Sequence, residues 1–275
     1  MPSRTFRLFV SSTFSDFKKE RAMLQAEVFP ELKEYCSKRY ATFQPIDLRW
    51  GVNNEAQLDQ KTLELCLSEV HTCNTHPRPN FLIMAGDRYG WVPLPYAIEK
   101  DEYETLTSHL KDTSLLNSWY ELDTNHIPHS YIIKQRSGEF VDYDIWVKVE
   151  NQLRALLQEG AIHLPESKRV KYFTSATQAE FEAGAMPYED TFALLRHIPK
   201  DALQKGIFYE DEEDYNKALE FSNTIATLLP KENALHVSPS PLNQKELDQT
   251  YLEEFKEKLL SFLKTRIDAF LSSLT

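Results

Sequence analysis

The opening stretch of the chain, residues 4–21, constrains the fold more than any other part. A short apolar strand runs directly into Ser11, Ser12 and Thr13, and an amphipathic helix starts immediately after them. A doubly wound α/β domain begins in this way and binds ligands beyond the carboxyl ends of its strands. The three hydroxyl side chains are therefore predicted to face a ligand.

The α/β pattern continues along the first part of the chain. Apolar residues follow a helical period over about residues 15–39, where Pro30 should kink or divide the helix. Residues 43–50 are predicted as a second strand. Residues 80–86 form a continuous apolar run, as expected of a central strand covered on both faces. The alternation of strands and helices predicts a mainly parallel, doubly wound sheet of flavodoxin-like type.

The second part of the chain is less regular. Residues 1–200 are assigned to the α/β domain, with a helical insertion at about residues 100–171. Residues 201–275 are predicted as a helical extension. It ends in a long helix over residues 245–274, with one apolar stripe.

Charge and composition exclude several classes of partner. The chain has 275 residues and a net charge of −11, which argues against binding to a nucleic-acid backbone. It contains seven glycines and neither of the usual glycine-rich phosphate loops. No apolar run approaches the ~18 residues of a membrane span, and the first residues do not resemble a secretory signal. The three cysteines show no pairing pattern, so free thiols and a cytoplasmic location are expected.

Glu180 is the most suggestive candidate for chemistry. On a helix after Ser175, Gln178 and Glu182 share one face while Glu180 lies roughly opposite, among small side chains. A carboxylate placed in this way could line a pocket. Alternatively, Thr177 and Glu180 have the spacing of a capping box, in which the glutamate bonds only the start of its own helix. The residues alone leave both interpretations open.

Two further charged pairs also allow two interpretations each. Asp87 and Arg88 follow the third strand, where they could face a ligand or fix a tight turn as an ion pair. Asp47 and Arg49 lie near the end of the second strand. They could reach a ribose hydroxyl or a phosphate, or they could form a local ion pair.

Four side chains of metal-ligating type occur close together in the sequence. Cys66, His71, Cys73 and His76 fall within eleven positions. On one helix the two cysteines would lie two turns apart, and the spacing matches no closed structural zinc site. No metal site is predicted.

Several motifs occur in the order typical of one family. They are R-L-F-V-S-S-T-F-S-D-F-x-x-E-R, P-I-D-L-R-W-G-V, N-F-L-I-M-A-G-D-R-Y-G-W and S-A-T-x-x-E-F-E-x-G. With these motifs, about residues 4–200 resemble the TIR-like domain of unknown function found at the front of many NACHT and WD-repeat proteins. Those proteins are STAND-class signalling NTPases, and they include proteins similar to telomerase-associated protein and nephrocystin. The resemblance implies an N-terminal module whose parent NTPase imposes self-association.

Some members of the wider TIR superfamily cleave the N-glycosidic bond of NAD with one helical glutamate. By motif, the resemblance places that role on Glu180, with NAD as a substrate and no resident cofactor. Ser11 and Ser12 match the polar loop after the first strand, and Asp87 and Arg88 match the loop after the third. A non-catalytic adaptor that binds a like domain or a protein effector is the alternative. The long insertion and the residues that follow the second strand depart from the pattern of TIR enzymes.

Overall fold

The central sheet begins with β1 (Thr5–Ser12), whose last five residues are all buried. The structure, a computed structural model, describes residues 3–48 and 60–274, which form two units. The described residues of unit 1 are 3–48, 66–91 and 177–274. Those of unit 2 are 60–65 and 92–176.

A parallel sheet of five strands organises the described part of unit 1. After β1 come β2 (Thr42–Ile46), β3 (Phe81–Ala85), β7 (Thr191–Arg196) and β8 (Ala234–Val237). Their order is β2-β1-β3-β7-β8, and all four neighbouring pairs are parallel. Every residue of β3 and β7 is buried, as expected of central strands covered on both faces. The predicted doubly wound α/β fold is confirmed.

The helices of unit 1 cover both faces of this sheet. They are α1 (Lys18–Met23), α2 (Phe29–Ser37), α3 (Thr62–Asn74) from Cys66 onward, α8 (Ala176–Gly184) from Thr177 onward, α9 (Glu212–Leu228) and α10 (Tyr251–Ser272). Helices α1, α2 and α10 bury their apolar residues against one face. On the other face α8 and α3 pack closely on β3, because a Cβ added to Gly184 would lie 2.6 Å from Phe81 and 2.7 Å from Val70.

The first helix is divided as predicted. A π-helical turn, Leu24–Val28, separates α1 from α2, and Pro30 follows two residues later. A proline has no backbone N–H, and its ring clashes with the carbonyl of the residue four positions earlier. That residue is Ala26, which lies within the widened turn.

The last 75 residues differ in detail from the predicted extension. Their described part contributes β8 to the central sheet and α10 to its core, so it lies in unit 1. The C-terminal helix begins at Tyr251 rather than at residue 245, because strands β9 (Pro241–Asn243) and β10 (Glu246–Leu247) pair as a hairpin before it.

Unit 2 contains both helices and a sheet. Its helices are α4 (Lys100–Ser108), α5 (Ser114–Trp119), α6 (Tyr143–Ala161) and α7 (Glu166–Arg169). Its strands β4 (Ala97–Glu99), β5 (Tyr120–Asp123) and β6 (Ser130–Ile133) form an antiparallel sheet of order β4-β6-β5. The description of the insertion as helical is therefore incomplete. Its apolar core includes Trp146, Leu153 and Leu157 of α6.

Candidate functional site

The candidate site lies where the strand order of the central sheet reverses. Strand β2 lies on one side of β1, whereas β3, β7 and β8 follow in sequence on its other side. The point at which the order reverses, here called the switch point, therefore falls between β1 and β3. At such a point the loops after the two strands diverge and leave a crevice in which α/β proteins bind ligands. Ser11 and Ser12, at the end of β1, pair with Ile83 and Met84 of β3 and lie beside this switch.

Glu180 contacts the end of β1 from helix α8. The Ser11 hydroxyl donates a hydrogen bond of 2.5 Å to Oε2 of Glu180. Both residues are buried, with 1% of Ser11 and 8% of Glu180 exposed. The contact places the predicted carboxylate and one predicted hydroxyl together at the switch point.

Burial changes the acidity of Glu180. Removal from water disfavours the charged carboxylate and raises its pKa from 4.5 to about 7. Hydrogen bonds from the Ser11 hydroxyl and the Cys66 thiol act in the opposite direction, as does the positive charge of Arg21. Burial and the neighbouring Glu180 carboxylate also raise the pKa of the Cys66 thiol, which stays protonated as a donor. Glu180 can therefore exchange a proton near neutral pH, as a general acid or base requires.

The structure decides between the two orientations considered for Glu180. Helix α8 begins at Ala176, so Thr177 is its second residue and Glu180 its fifth. A capping box needs the threonine just before the first helical turn, with the glutamate three residues later. Glu180 instead bonds Ser11, 169 positions away. The Glu180 carboxylate therefore points toward the sheet and not toward the start of its own helix. Its catalytic role remains a prediction.

Ser12 belongs to a second cluster, because successive residues of a strand point to opposite faces. Two nitrogens of Arg21 donate to the Ser12 hydroxyl, Nε at 3.1 Å and Nη2 at 2.8 Å. Arg21 also forms an ion pair with Asp47, and both side chains are almost fully buried. The predicted residues Ser12 and Asp47 thus meet through Arg21. Arg49, the partner considered for Asp47, lies outside the described residues.

Arg21 is not among the site residues predicted from the sequence, although its position on the first helix indicates that it is buried. It falls four residues after Phe17 and three before Leu24, on the apolar stripe of the first helix. Only 1% of Arg21 is exposed. A charged residue on a buried stripe indicates a buried partner, and that partner could not be identified from local spacing.

Asp87 holds the end of β3 to the segment after β7. One carboxylate oxygen accepts the Ile198 backbone N–H at 2.8 Å, and the other lies 2.8 Å from Nδ1 of His197. The His197 Nε2 in turn lies 2.7 Å from the Ser222 hydroxyl of α9. Asp87 is 2% exposed, and its hydrogen bonds connect two segments of the fold.

Arg88 forms its hydrogen bonds elsewhere, so the ion pair with Asp87, one of the two interpretations of these residues, does not form. Arg88 donates to Glu210 at 2.6 Å and to the carbonyl oxygens of Gly206 and Ile207. Among the described residues, no hydrogen bond joins Asp87 or Arg88 to Glu180. The structure therefore does not bring these two predicted residues into direct contact with the Glu180 carboxylate.

The loops after β1 and β3 contact each other at Gly90. This glycine has a φ of +94°, and a Cβ there would lie 2.7 Å from the Thr13 methyl group and 3.9 Å from Thr177 Oγ1. The preceding residue, Tyr89, donates its hydroxyl to Gln178 of α8 at 2.7 Å. Thr13, the third predicted hydroxyl residue, therefore forms part of the wall where both loops approach α8.

The described residues contain neither a cluster of metal-ligating side chains nor a membrane-spanning helix. Across residues 3–48 and 60–274, no group of three or more His, Cys, Asp or Glu side chains could hold a metal ion. Over the same ranges, no helix combines the length and apolar character needed to cross a membrane.

Comparisons with known proteins relate part of the chain to one family and to several large proteins. Residues 7–128 match the family described as "Domain of unknown function (DUF4062)". The NACHT domain- and WD repeat-containing protein 1 of Mus musculus is 32% identical over 203 residues, which cover 72% of this chain and 12% of that protein. The NACHT and WD repeat domain-containing protein 2 of Homo sapiens is 27% identical over 237 residues, or 75% of this chain and 13% of that protein.

A shorter match extends the comparison. The telomerase protein component 1 of Mus musculus is 38% identical over 93 residues, covering 34% of this chain and 3% of that protein. The chain thus spans only a small part of the length of these relatives. No solved structure matches it significantly.

Proposed function

Because the chain contains a DUF4062 domain homologous to NACHT and WD repeat-containing proteins, we propose that it is the N-terminal signalling module of such a protein. In this proposal the module cleaves the N-glycosidic bond of NAD, or of a related nucleotide, when the parent NTPase brings copies together in the cytoplasm. Glu180 is the key carboxylate. NAD is the substrate, and the reaction needs no resident cofactor.

The observation that carries this proposal is the buried Glu180 carboxylate at the switch point, with a pKa raised to about 7. During hydrolysis the bond between C1′ of the ribose and the nicotinamide nitrogen breaks, and its electron pair leaves with nicotinamide. The ionised carboxylate stabilises the positive charge that develops on the ribose, as glycosidase carboxylates do. Water then adds to C1′ and loses one proton. The products are nicotinamide, ADP-ribose and that proton.

The surroundings of the crevice suit a nucleotide. Phe14 follows β1 and Trp91 follows β3, and 50% and 42% of these residues are exposed. Exposed aromatic rings provide faces on which a base can stack. The hydroxyl groups of Ser12 and Thr13 already donate within the chain, to the Thr13 carbonyl and to Asp16 at 2.6 Å each, so a ribose or phosphate takes one of them as a donor only by replacing that bond.

Nicotinamide release from NAD tests the proposal. We would compare the wild type, Glu180→Gln and Glu182→Gln, each as the free chain and fused to a forced oligomer. Glu182 is the matched control, because it is an exposed glutamate on the same helix, bonded to Gln178 at 2.8 Å. Release by the oligomeric wild type and by Glu182→Gln, with a loss of about 100-fold or more in Glu180→Gln, is expected.

One observation favours the alternative, a non-catalytic adaptor. Only 8% of Glu180 is exposed, and Ser11 already bonds its carboxylate, so substrate must displace or join that contact. If no form releases nicotinamide while all three variants remain folded, the adaptor function is preferred. Self-association of the domain, or its binding to a protein effector, would then be the activity to measure.

A further inference from the structure

A cavity of about 90 Å³ lies within unit 1, separate in its lining from the Glu180 site. It is bounded by the loop between β1 and α1, by the end of β7, and by the segment that leads into α10. Its volume is several times the ~10–15 Å³ that one water molecule needs. It is far below the ~300–1,000 Å³ of a typical drug-sized site. A ligand of only a few heavy atoms fits this space.

Arg196, the last residue of β7, lines the cavity and is 2% exposed. Its Nη1 donates to the Asp16 carbonyl at 2.9 Å and to the Glu20 carboxylate, and its Nη2 donates to the Asp16 carboxylate at 3.3 Å. The guanidinium lies 4.0 Å from the ring centroid of Phe17 and 5.3 Å from that of Phe208. Within the described part of the chain, Nε has no hydrogen-bond acceptor. A buried donor without a partner is uncommon in folded proteins, and in the lining of a cavity it can bond an ordered water or a ligand.

Three lysines add positive charge at the same cavity. Lys18, Lys19 and Lys245 line it and are exposed, and none of them forms an ion pair with any residue that the structure describes. The lining contains four cationic and three anionic side chains, and Arg196 already bonds two of the anionic ones. The lining therefore carries one net positive charge, in a chain with a net charge of −11.

We propose that this cavity is a binding site for a small tetrahedral oxyanion of the phosphate class. Arg196 offers a buried N–H donor in the lining, without an acceptor among the described residues, and the three exposed lysines of the lining supply the charge that retains the anion. Phe208 lies beside the guanidinium, and Arg196 is 2% exposed, so little water screens its attraction to an anion. The same chemistry would accept free inorganic phosphate or the terminal phosphate of a nucleoside monophosphate.

The test is titration of the whole chain with inorganic phosphate and, in a second arm, with AMP. Amide chemical shifts of Ile207 and Phe208, which line the cavity, locate the binding. Lys19→Ala and Lys245→Ala should each weaken binding by roughly ten-fold. Lys33→Ala is the matched control, because Lys33 is an exposed lysine on α2 that does not line the cavity. These lysines are exposed, so the variants should fold.

The outcomes separate the proposal from non-specific attraction. Saturable binding of phosphate indicates a site for the free ion, and binding of AMP alone indicates a site for a phosphate group on a larger molecule. Either result supports the proposal when the two cavity lysines matter and Lys33 does not. The proposal is overturned if neither anion shifts the two amides, or if Lys33→Ala weakens binding as much as Lys245→Ala.

Discussion

The hydroxyl of Ser11 bonds the carboxylate of Glu180 at 2.5 Å, joining the end of β1 to the middle of helix α8 across 169 positions of sequence. The contact places a titratable group inside the protein at the switch point of the sheet. Burial raises the pKa of Glu180 to about 7, while the Ser11 hydroxyl favours the ionised form. The protonation of one buried carboxylate therefore links the stability of the domain to its proposed chemistry.

The first prediction concerns stability as a function of pH. The pKa of Glu180 is about 7 in the folded protein against an ordinary value of 4.5, so between these values the folded state holds more protons than the unfolded state. The stability that the folded state gains from protonated Glu180 is fully present below about pH 4.5, and it is lost as the pH rises through about 7. Glutamine does not titrate, so the free energy of unfolding of Glu180→Gln does not fall in this way. Over this pH range it should therefore rise by roughly 3 kcal/mol relative to that of the wild type.

Urea denaturation at several pH values measures this difference. Glu182→Gln should follow the wild-type profile, because Glu182 is exposed. Parallel profiles for the wild type and Glu180→Gln would contradict the raised pKa of Glu180.

A second prediction tests the role of the Ser11 hydroxyl. Ser11→Ala removes a donor that lowers the pKa of Glu180, so the midpoint of the Glu180 titration should move to higher pH. An NMR titration of the Glu180 side-chain carboxyl carbon would report it. Ser222→Ala is the control, since Ser222 is equally buried but contacts His197. An unchanged midpoint in Ser11→Ala would show that the hydroxyl does not tune the acid.

The buried ion pair of Arg21 and Asp47 leads to a third prediction. Arg21→Met removes the cation that pairs with the buried Asp47 carboxylate and should cost about 3–5 kcal/mol of unfolding free energy. Combining it with Asp47→Leu should recover part of that loss, because the carboxylate that has lost this cation is then removed as well. The exposed pair of Glu34 and Lys38 is the comparison, and Glu34→Gln should cost far less than Arg21→Met, because water screens the exposed pair. Equal costs for Arg21→Met and Glu34→Gln would refute the buried role of Arg21.

Gly90 provides the fourth prediction. Gly90→Ala should destabilise the protein by about 1–3 kcal/mol, because alanine would adopt a positive φ and approach the Thr13 methyl group to 2.7 Å. Thr13→Ser removes that methyl group but keeps the hydroxyl that bonds Asp16. The variant that combines Gly90→Ala with Thr13→Ser should therefore recover the free energy of unfolding lost to the steric clash. It should still lose the part that comes from the positive φ.

Gly138→Ala is the reference for the backbone part alone. Gly138 also has a positive φ, but a Cβ there would meet no atom within 4 Å. Thermal or urea unfolding of the four variants separates the two contributions. If Thr13→Ser gives no recovery in the Gly90→Ala background, the two loops do not pack as closely as the structure indicates.

Local pattern was sufficient for the elements with strong periodicity. The apolar run that contains β3 and the stripe of the first helix were both placed from residues close in sequence. Strand β8 (Ala234–Val237) was not predicted, because four residues carry too little alternation to show a strand without its neighbour β7. The start of the C-terminal helix was misplaced for a related reason. The hairpin before it is defined by pairing between strands, which periodicity does not report.

The sequence by itself determined the α/β class, the hydroxyl-rich end of β1 and the position of Glu180 on a helix. Each depends on interactions between residues a few positions apart, through strand alternation, helical spacing and turn chemistry. Only the tertiary structure decided which polar groups meet. It joined Glu180 to Ser11, Arg21 to Asp47, and Asp87 to His197 instead of Arg88. Such partners are selected when elements distant in sequence pack and each buried polar group must find a hydrogen bond inside the fold.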